Sequence, residues 1–167
     1  QPWWNKFYNA EEVNRARRAH LEGVVYLLPW IATIDSFQHW IYANPSHSRE
    51  ERAQIWQSIR DRFGSEMDWG DHTDFRGLSW QQQGHLFGAP FYYIEYGIAQ
   101  LGSLQLWKTQ MEDPQKALDD YANAMRLGNT RTLPDLFSAA DIKLGFGESH
   151  FTSLMGDVEE ALTELPT

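Results

Sequence analysis

An all-α fold, organised as one multi-helix domain over residues 1–167, is what this sequence predicts. Three observations lead there. Apolar residues recur at spacings of three and four through most of the chain, the period of a helix face. The periodic segments are bracketed by helix start and stop signals: Asn or Ser with Glu three residues later, Asp-Pro, and glycine or Asn-Pro at the far ends. No run of alternating apolar and polar residues is long enough to read as a strand. At 167 residues and 42% hydrophobic, the chain is long enough to close a core of its own.

The elements follow in order. Residues 1–8 are aromatic and irregular, and Trp3, Trp4, Phe7 and Tyr8 are candidates to pack on a neighbour. Asn9 and Glu12 form a capping box. The helix behind it turns Val13, Ala16, Ala19, His20, Val24, Leu27 and Leu28 inward and leaves Arg15, Arg17, Arg18 and Glu22 wet. Pro29 is expected to kink or break it. Helical periodicity resumes through Trp30, Ile34, Phe37, Gln38 and Ile41 and stops at Asn44-Pro45. Ser48 and Glu51 cap a second helix carrying Ile55, Trp56, Ile59 and Phe63, closed by Gly64. Residues 65–77 read as an acidic loop with one turn of helix at most, and a short helix over 79–87 carries His85 to its C-terminal end. The central helix runs from Pro90 through Ile94, Ile98, Leu101, Leu104 and Trp107, with Gly97, Ala99 and Gly102 small enough for another backbone to approach. Asp113-Pro114 opens a helix with Leu118, Tyr121, Ala122 and Met125 as its apolar stripe and Gly128 as its end. Pro134 starts a short helix to Ala140. A last amphipathic helix buries Phe151, Leu154, Met155, Val158, Leu162 and Leu165.

Composition removes several function classes. The formal charge of -9 argues against nucleic acid and anionic membranes as partners, since both need a basic face. The absence of cysteine removes disulfides and thiolate metal sites. No apolar run reaches the roughly 20 residues of a membrane span. The N-terminal residues have neither the basic start nor the apolar core of a signal peptide, so a cytoplasmic location is expected. Opening on Gln1 fits a piece of a longer protein or a processed chain.

The chemistry concentrates in residues 84–107, GHLFGAPFYYIEYGIAQLGSLQLW, which hold one histidine, three tyrosines and a glutamate. Read alone, His85 fits a histidine hydrogen-bonded at a helix end better than an acid–base group. Tyr92, Tyr93 and Tyr96 likewise have the spacing of core aromatics, although a buried phenol needs a partner for its O–H. Asp35 and His39 stand four apart, a spacing suited to a local side-chain pair and only weakly to a metal. Glu95 reads as a structural partner. Asp68, Asp71 and Asp74 lack the spacing of a calcium loop and read as solvated. No di-iron, phosphate-loop or nucleophile-elbow motif is present.

The pattern His85, Tyr92, Tyr93, Tyr96 within HLFGAPFYYIEYGIAQLG resembles the C-terminal active-site region of oligoendopeptidase F, a zinc metallopeptidase of the thimet-oligopeptidase type. LEGVVYLLPWIATIDSFQHWIYANP and YANAMRLGNTRTLPDLFSAADI extend the resemblance over nearly the whole chain. The family's His-Glu-x-x-His motif is absent: none of His20, His39, His47, His72, His85 and His150 precedes a glutamate. The resemblance implies an enzyme that cleaves short peptides at zinc, with the metal, its ligands and the general base supplied outside this chain. It reverses the reading of the histidine and tyrosines. His85, Tyr93 and Tyr96 become catalytic candidates, and Tyr92 joins them in substrate binding. Tyr96 and Tyr93 rank above Tyr92. The chain alone is then expected to bind no zinc and to be inactive. The alternative is a non-catalytic helical interaction module derived from the same fold. If the chain is part of a larger enzyme, apolar surface shaped to meet the rest of it would favour a homodimer, whereas a lasting monomer would favour the module.

Overall fold

The structure is a computed structural model describing residues 4–64 and 67–166. Among the described residues there are eight α-helices, three short 3-10 segments and no strand, so the all-α class holds. The α-helices are α1 (Ala10–Ala43), α2 (Arg49–Phe63), α3 (Thr73–Leu78), α4 (His85–Gly88), α5 (Ile94–Glu112), α6 (Pro114–Leu127), α7 (Leu133–Ala139) and α8 (Glu148–Glu164). The 3-10 segments are Trp4–Lys6, Gly70–His72 and Ser79–Gln82. Packing divides the chain into two compact units, Val25–Gly97 and Gln1–Val24 with Ile98–Thr167. Both α1 and α5 contribute residues to each.

Local signals place the starts of α1, α2 and α6. Asn9 and Glu12 exchange side-chain-to-backbone bonds of 2.9 and 3.0 Å, and Ser48 and Glu51 do so at 2.7 and 3.1 Å. Each pair satisfies two amides that the first turn leaves without helical partners. Asp113 accepts from the amides of Gln115 and Lys116, with Pro114 at the first helical position. Of the kink or break expected at Pro29, the break does not occur: α1 runs on through it. The residue whose carbonyl it leaves without an amide, Val25, is exposed, so water can replace the missing partner. Apolar side chains before and after the proline, Val24, Leu28, Ile31 and Ile34, are buried and hold the helix in register.

The unit Val25–Gly97 is built on an aromatic core. Ile34 and Phe37 of α1, Trp56 of α2 and Trp80 of the third 3-10 segment are buried together, and Trp30, Ile41, Ile55, Ile59, Leu86 and Tyr93 pack around them. The Phe37 and Trp56 rings meet edge-on at 4.9 Å, and Trp30 meets Trp56 at 6.0 Å, a geometry that suits the ring quadrupoles. Trp56 is fully enclosed, and its indole N–H donates to the Arg76 carbonyl (3.0 Å) and the Ser79 hydroxyl (2.9 Å). That pairing removes the cost of burying the polar end. It also ties α2 to a segment read from sequence as mostly loop. That segment, 65–77, contains the 3-10 turn Gly70–His72 and most of α3. Asp68 there accepts from the Gly70 amide at 2.8 Å, an Asx turn, while Asp71 and Asp74 are exposed.

In the other unit the buried face of α1 is Val13, Leu21 and Val24; Ala19 and His20, expected inside, are exposed. Arg18, expected to be wet, reaches the end of α8 and donates to the carbonyls of Leu162 (3.0 Å) and Leu165 (2.9 Å). A cation there satisfies carbonyls that have no helical donor and faces the negative end of the helix dipole. Leu154 and Val158 carry the buried face of α8, whereas Phe151 is exposed. Lys108 of α5 bonds both carboxylate oxygens of Asp157 at 2.8 Å, which raises the Lys108 pKa. At Gly102 a side-chain ring makes the close approach that the small residue permits: a Cβ there would lie 3.2 Å from two atoms of Phe137. The Gln105 side chain pairs with both backbone groups of Lys143, at 2.8 and 2.9 Å. The stripe expected to bury α6 faces outward. Leu118, Tyr121 and Met125 are exposed, and α6 packs through Ala117 and Ala124, whose small side chains let it approach closely. Trp3 lies outside the described residues, and Phe7 and Tyr8 are exposed.

Candidate active site

Local sequence and the aromatic core together fix the approach to α4. The third 3-10 segment ends where Gln83 turns extended (φ -86°, ψ 92°). The chain restarts at Gly84, so His85 opens α4 instead of closing a longer helix as expected. Trp80 on one side and Leu86 on the other belong to the core cluster, and Phe87 stacks on Trp80 at 5.6 Å. His85 is therefore carried between anchored neighbours.

The far side of the site is set by Phe91. The helix expected from Phe91 onward begins only at Ile94, and Tyr92 and Tyr93 lie in the turn before it. Pro90 disfavours helical backbone at Ala89, which lies outside the helical region (φ -145°, ψ 71°). Phe91 is left-handed at φ 59°, an unfavourable conformation for a residue with a Cβ. It is held there from α1. The Phe91 amide donates to Gln38 Oε1 at 2.8 Å, and the Phe91 ring lies 5.0 Å from His39 and 4.8 Å from Tyr42. Glu95 N–H donating to the Tyr92 carbonyl (2.9 Å) and Tyr96 N–H to that of Tyr93 (3.3 Å) then start α5. Tyr92 and Tyr93 are thus delivered by a strained turn and Tyr96 by the first helical turn.

All four residues picked out from the sequence converge. His85 Nε2 lies 3.1 Å from the Tyr96 hydroxyl. Tyr93 meets His85 edge-on at 4.9 Å and Tyr96 at 5.1 Å, and Tyr92 meets Tyr96 at 5.8 Å. The Tyr92 ring runs parallel to the imidazole at 6.4 Å. Tyr93 also packs on the core and is half-buried, whereas Tyr92 and Tyr96 are exposed on one side. The cluster is consequently a wall with an open face, offering an imidazole and phenol hydroxyls to a polar ligand.

The remaining candidates fall elsewhere. Asp35 and His39 make the expected local pair at 3.5 Å. Glu95 is exposed in the first turn of α5, where an acid faces the positive end of the helix dipole. Two residues escaped sequence reading: Gln83, whose Nε2 lies 2.6 Å from His85 Nδ1, and Gln38. Gln83 closes a run of three glutamines that nothing local distinguishes, and Gln38 acts on a residue 53 positions away.

The sequence profile of Peptidase family M3 matches residues 3–150, and the chain is a member of that family. Solved structures agree. A protein assigned as an oligoendopeptidase F superposes with a TM-score of 0.86 at 35% identity, over 92% of this chain and 27% of its own length. PZ peptidase A, solved with an inhibitor, gives 0.88 at 31% identity, over 96% and 29%. A protein assigned as an oligoendopeptidase F from Bacillus anthracis strain Ames gives 0.74 at 28%, over 96% and 25%. The chain thus spans between 25% and 29% of the length of these structures. No curated protein matches it significantly. No helix among the described residues is long and apolar enough to cross a membrane.

Proposed function

We propose that this chain forms one wall of the substrate cleft in a cytoplasmic, zinc-dependent oligoendopeptidase that hydrolyses short peptides. In this reading His85, Tyr93 and Tyr96 act on the scissile peptide, and Tyr92 helps to bind it. The observation that carries it is the convergence of His85 Nε2 and the Tyr96 hydroxyl at 3.1 Å, with both other tyrosines against them, in a member of Peptidase family M3.

When water adds to a peptide carbonyl, the carbonyl oxygen gains negative charge before the C–N bond breaks. A donor fixed beside that oxygen stabilises the charge more than it stabilises the bound substrate, so it raises kcat. The phenol of Tyr96 suits that task. It is on an exposed face, its ring is held by His85, Tyr92 and Tyr93, and its backbone is fixed in the first turn of α5. His85 is positioned to orient the phenol, and it acts on the peptide through that hydroxyl.

The described residues of this chain do not fit a zinc site. A protein zinc site needs at least three side-chain ligands. Among the described residues no group of three histidines and carboxylates converges, and Asp35 with His39 provides only two. The zinc, its ligands and the general base are accordingly assigned to residues outside this chain.

Metal analysis after dialysis and cleavage of a quenched fluorescent peptide test this assignment. The chain alone should hold no stoichiometric zinc and show no turnover. The chain expressed together with a segment bearing His-Glu-x-x-His should show both. Zinc and turnover from the chain alone would overturn the division of labour. An inactive combined protein that nevertheless binds zinc would favour the non-catalytic module.

A further inference from the structure

We propose that Gln83 is a positioning residue that sets the tautomer of His85 and thereby leaves the Tyr96 O–H free to donate to a substrate oxygen. The inference rests on the role proposed above for Tyr96 and deepens it.

Gln83 Nε2 lies 2.6 Å from His85 Nδ1. In the orientation the structure gives, the Gln83 carboxamide nitrogen faces Nδ1 and donates to it, which places the lone pair on Nδ1 and the neutral ring's proton on Nε2. That Nε2–H faces the Tyr96 oxygen at 3.1 Å. The phenol oxygen accepts it, and the phenol's own hydrogen is left to point at another group. Each bond in such a row polarises the next, so the outward O–H becomes a better donor. The opposite tautomer reverses the sense. An Nε2 lone pair would take the Tyr96 O–H, and the phenol would present only an acceptor to a developing oxyanion. One amide group therefore decides whether the wall attracts or repels that charge.

The fold holds this amide in place. The Gln83 backbone N–H donates to the Trp80 carbonyl at 3.1 Å, and its carbonyl accepts from the Leu86 N–H at 3.1 Å. Trp80 and Leu86 are both part of the aromatic core cluster. Gln83 is half-buried, whereas its neighbours Gln81 and Gln82 are exposed. The imidazole is braced by the edge-on Tyr93 ring at 4.9 Å and by Tyr96 at 5.5 Å.

The tautomer can be read from nitrogen-15 chemical shifts of histidine-labelled chain above the imidazolium titration, with His85→Ala assigning the resonances. The wild-type ring should show Nδ1 unprotonated and Nε2 protonated. Gln83→Glu offers only an acceptor and should move the proton to Nδ1; Gln83→Leu offers nothing and should give a mixture. Should the glutamate variant fail to fold, the leucine variant carries the same comparison. A wild-type ring protonated at Nδ1, or a ring unchanged in both variants, would overturn the proposal. The second readout is kinetic, in the peptidase that contains this chain with a His-Glu-x-x-His segment. Gln83→Glu should lower kcat by about tenfold or more with little change in KM. Tyr96→Phe is run beside it. Loss of kcat in Tyr96→Phe but in neither Gln83 variant would overturn the relay and leave the function standing. Unchanged kcat in Tyr96→Phe would remove the proposed role of Tyr96, and the relay with it.

Discussion

Phe91 carries the most informative backbone in the chain. A left-handed conformation costs a residue with a Cβ on the order of 1–2 kcal/mol, and it persists only where the surroundings over-determine it. Here the surroundings are three residues of α1: Gln38 on the amide, and His39 and Tyr42 on the ring. Gln38 is 2% exposed, and its Nε2 has no partner among the described residues. Burying that amide is unfavourable, and the bond that the Phe91 N–H donates to Gln38 Oε1 offsets it. Gln38→Leu removes the acceptor and strands the Phe91 N–H, while also removing the unpartnered Nε2. The net expectation is destabilisation by about 1 kcal/mol, seen as a lower denaturant midpoint at unchanged slope. An unchanged midpoint would mean that the ring contacts alone hold the turn.

At the scale of elements, what the sequence disclosed and what it hid separate by range. The caps of α1, α2 and α6 were legible because donor and acceptor lie two or three residues apart. The start of α5 was not legible, because Gln38 decides it from 53 residues away. Nor was the outward face of α6, because two alanines compete with three large apolar residues for the buried side and win by allowing closer packing. The candidate site was half legible. His85 and the tyrosines lie within one short motif, whereas Gln83 looks like either neighbouring glutamine until its amide meets Nδ1. The α2 cap also makes a pH prediction. The Ser48 backbone N–H, then its hydroxyl, hold the Glu51 pKa below its ordinary value. A carboxyl depressed in the folded state stabilises fully above its unfolded pKa, and that contribution is lost as pH falls through the folded value. Between pH 7 and 3, wild type should therefore lose more thermal stability than Glu51→Gln. Parallel melting curves across that range would show that the cap contributes nothing.

On the scale of the whole molecule, apolar surface remains uncovered. Leu118 and Met125 are 59% and 57% exposed, and Phe7 is 78% exposed. Beside the α6 stripe lies a groove of about 800 Å³ lined by Leu106, Trp107, Pro114, Leu118 and Tyr121. Covering such surface is worth about 25 cal/mol per Å², while the charge of -9 is screened beyond about 8 Å at physiological salt. The chain alone should therefore form a homodimer at micromolar concentration; light scattering on dilution, with Leu118→Glu as the disrupting variant, checks this. A monomer at every concentration would contradict it. The proposed role of the Tyr96 hydroxyl is isolated by Tyr96→Phe in the peptidase containing this chain. The substitution removes one hydroxyl and leaves the ring packing in place. The expected result is a fall in kcat of about 10²-fold or more with KM little changed. Wild-type kcat in that variant would contradict it and leave Tyr96 as packing alone.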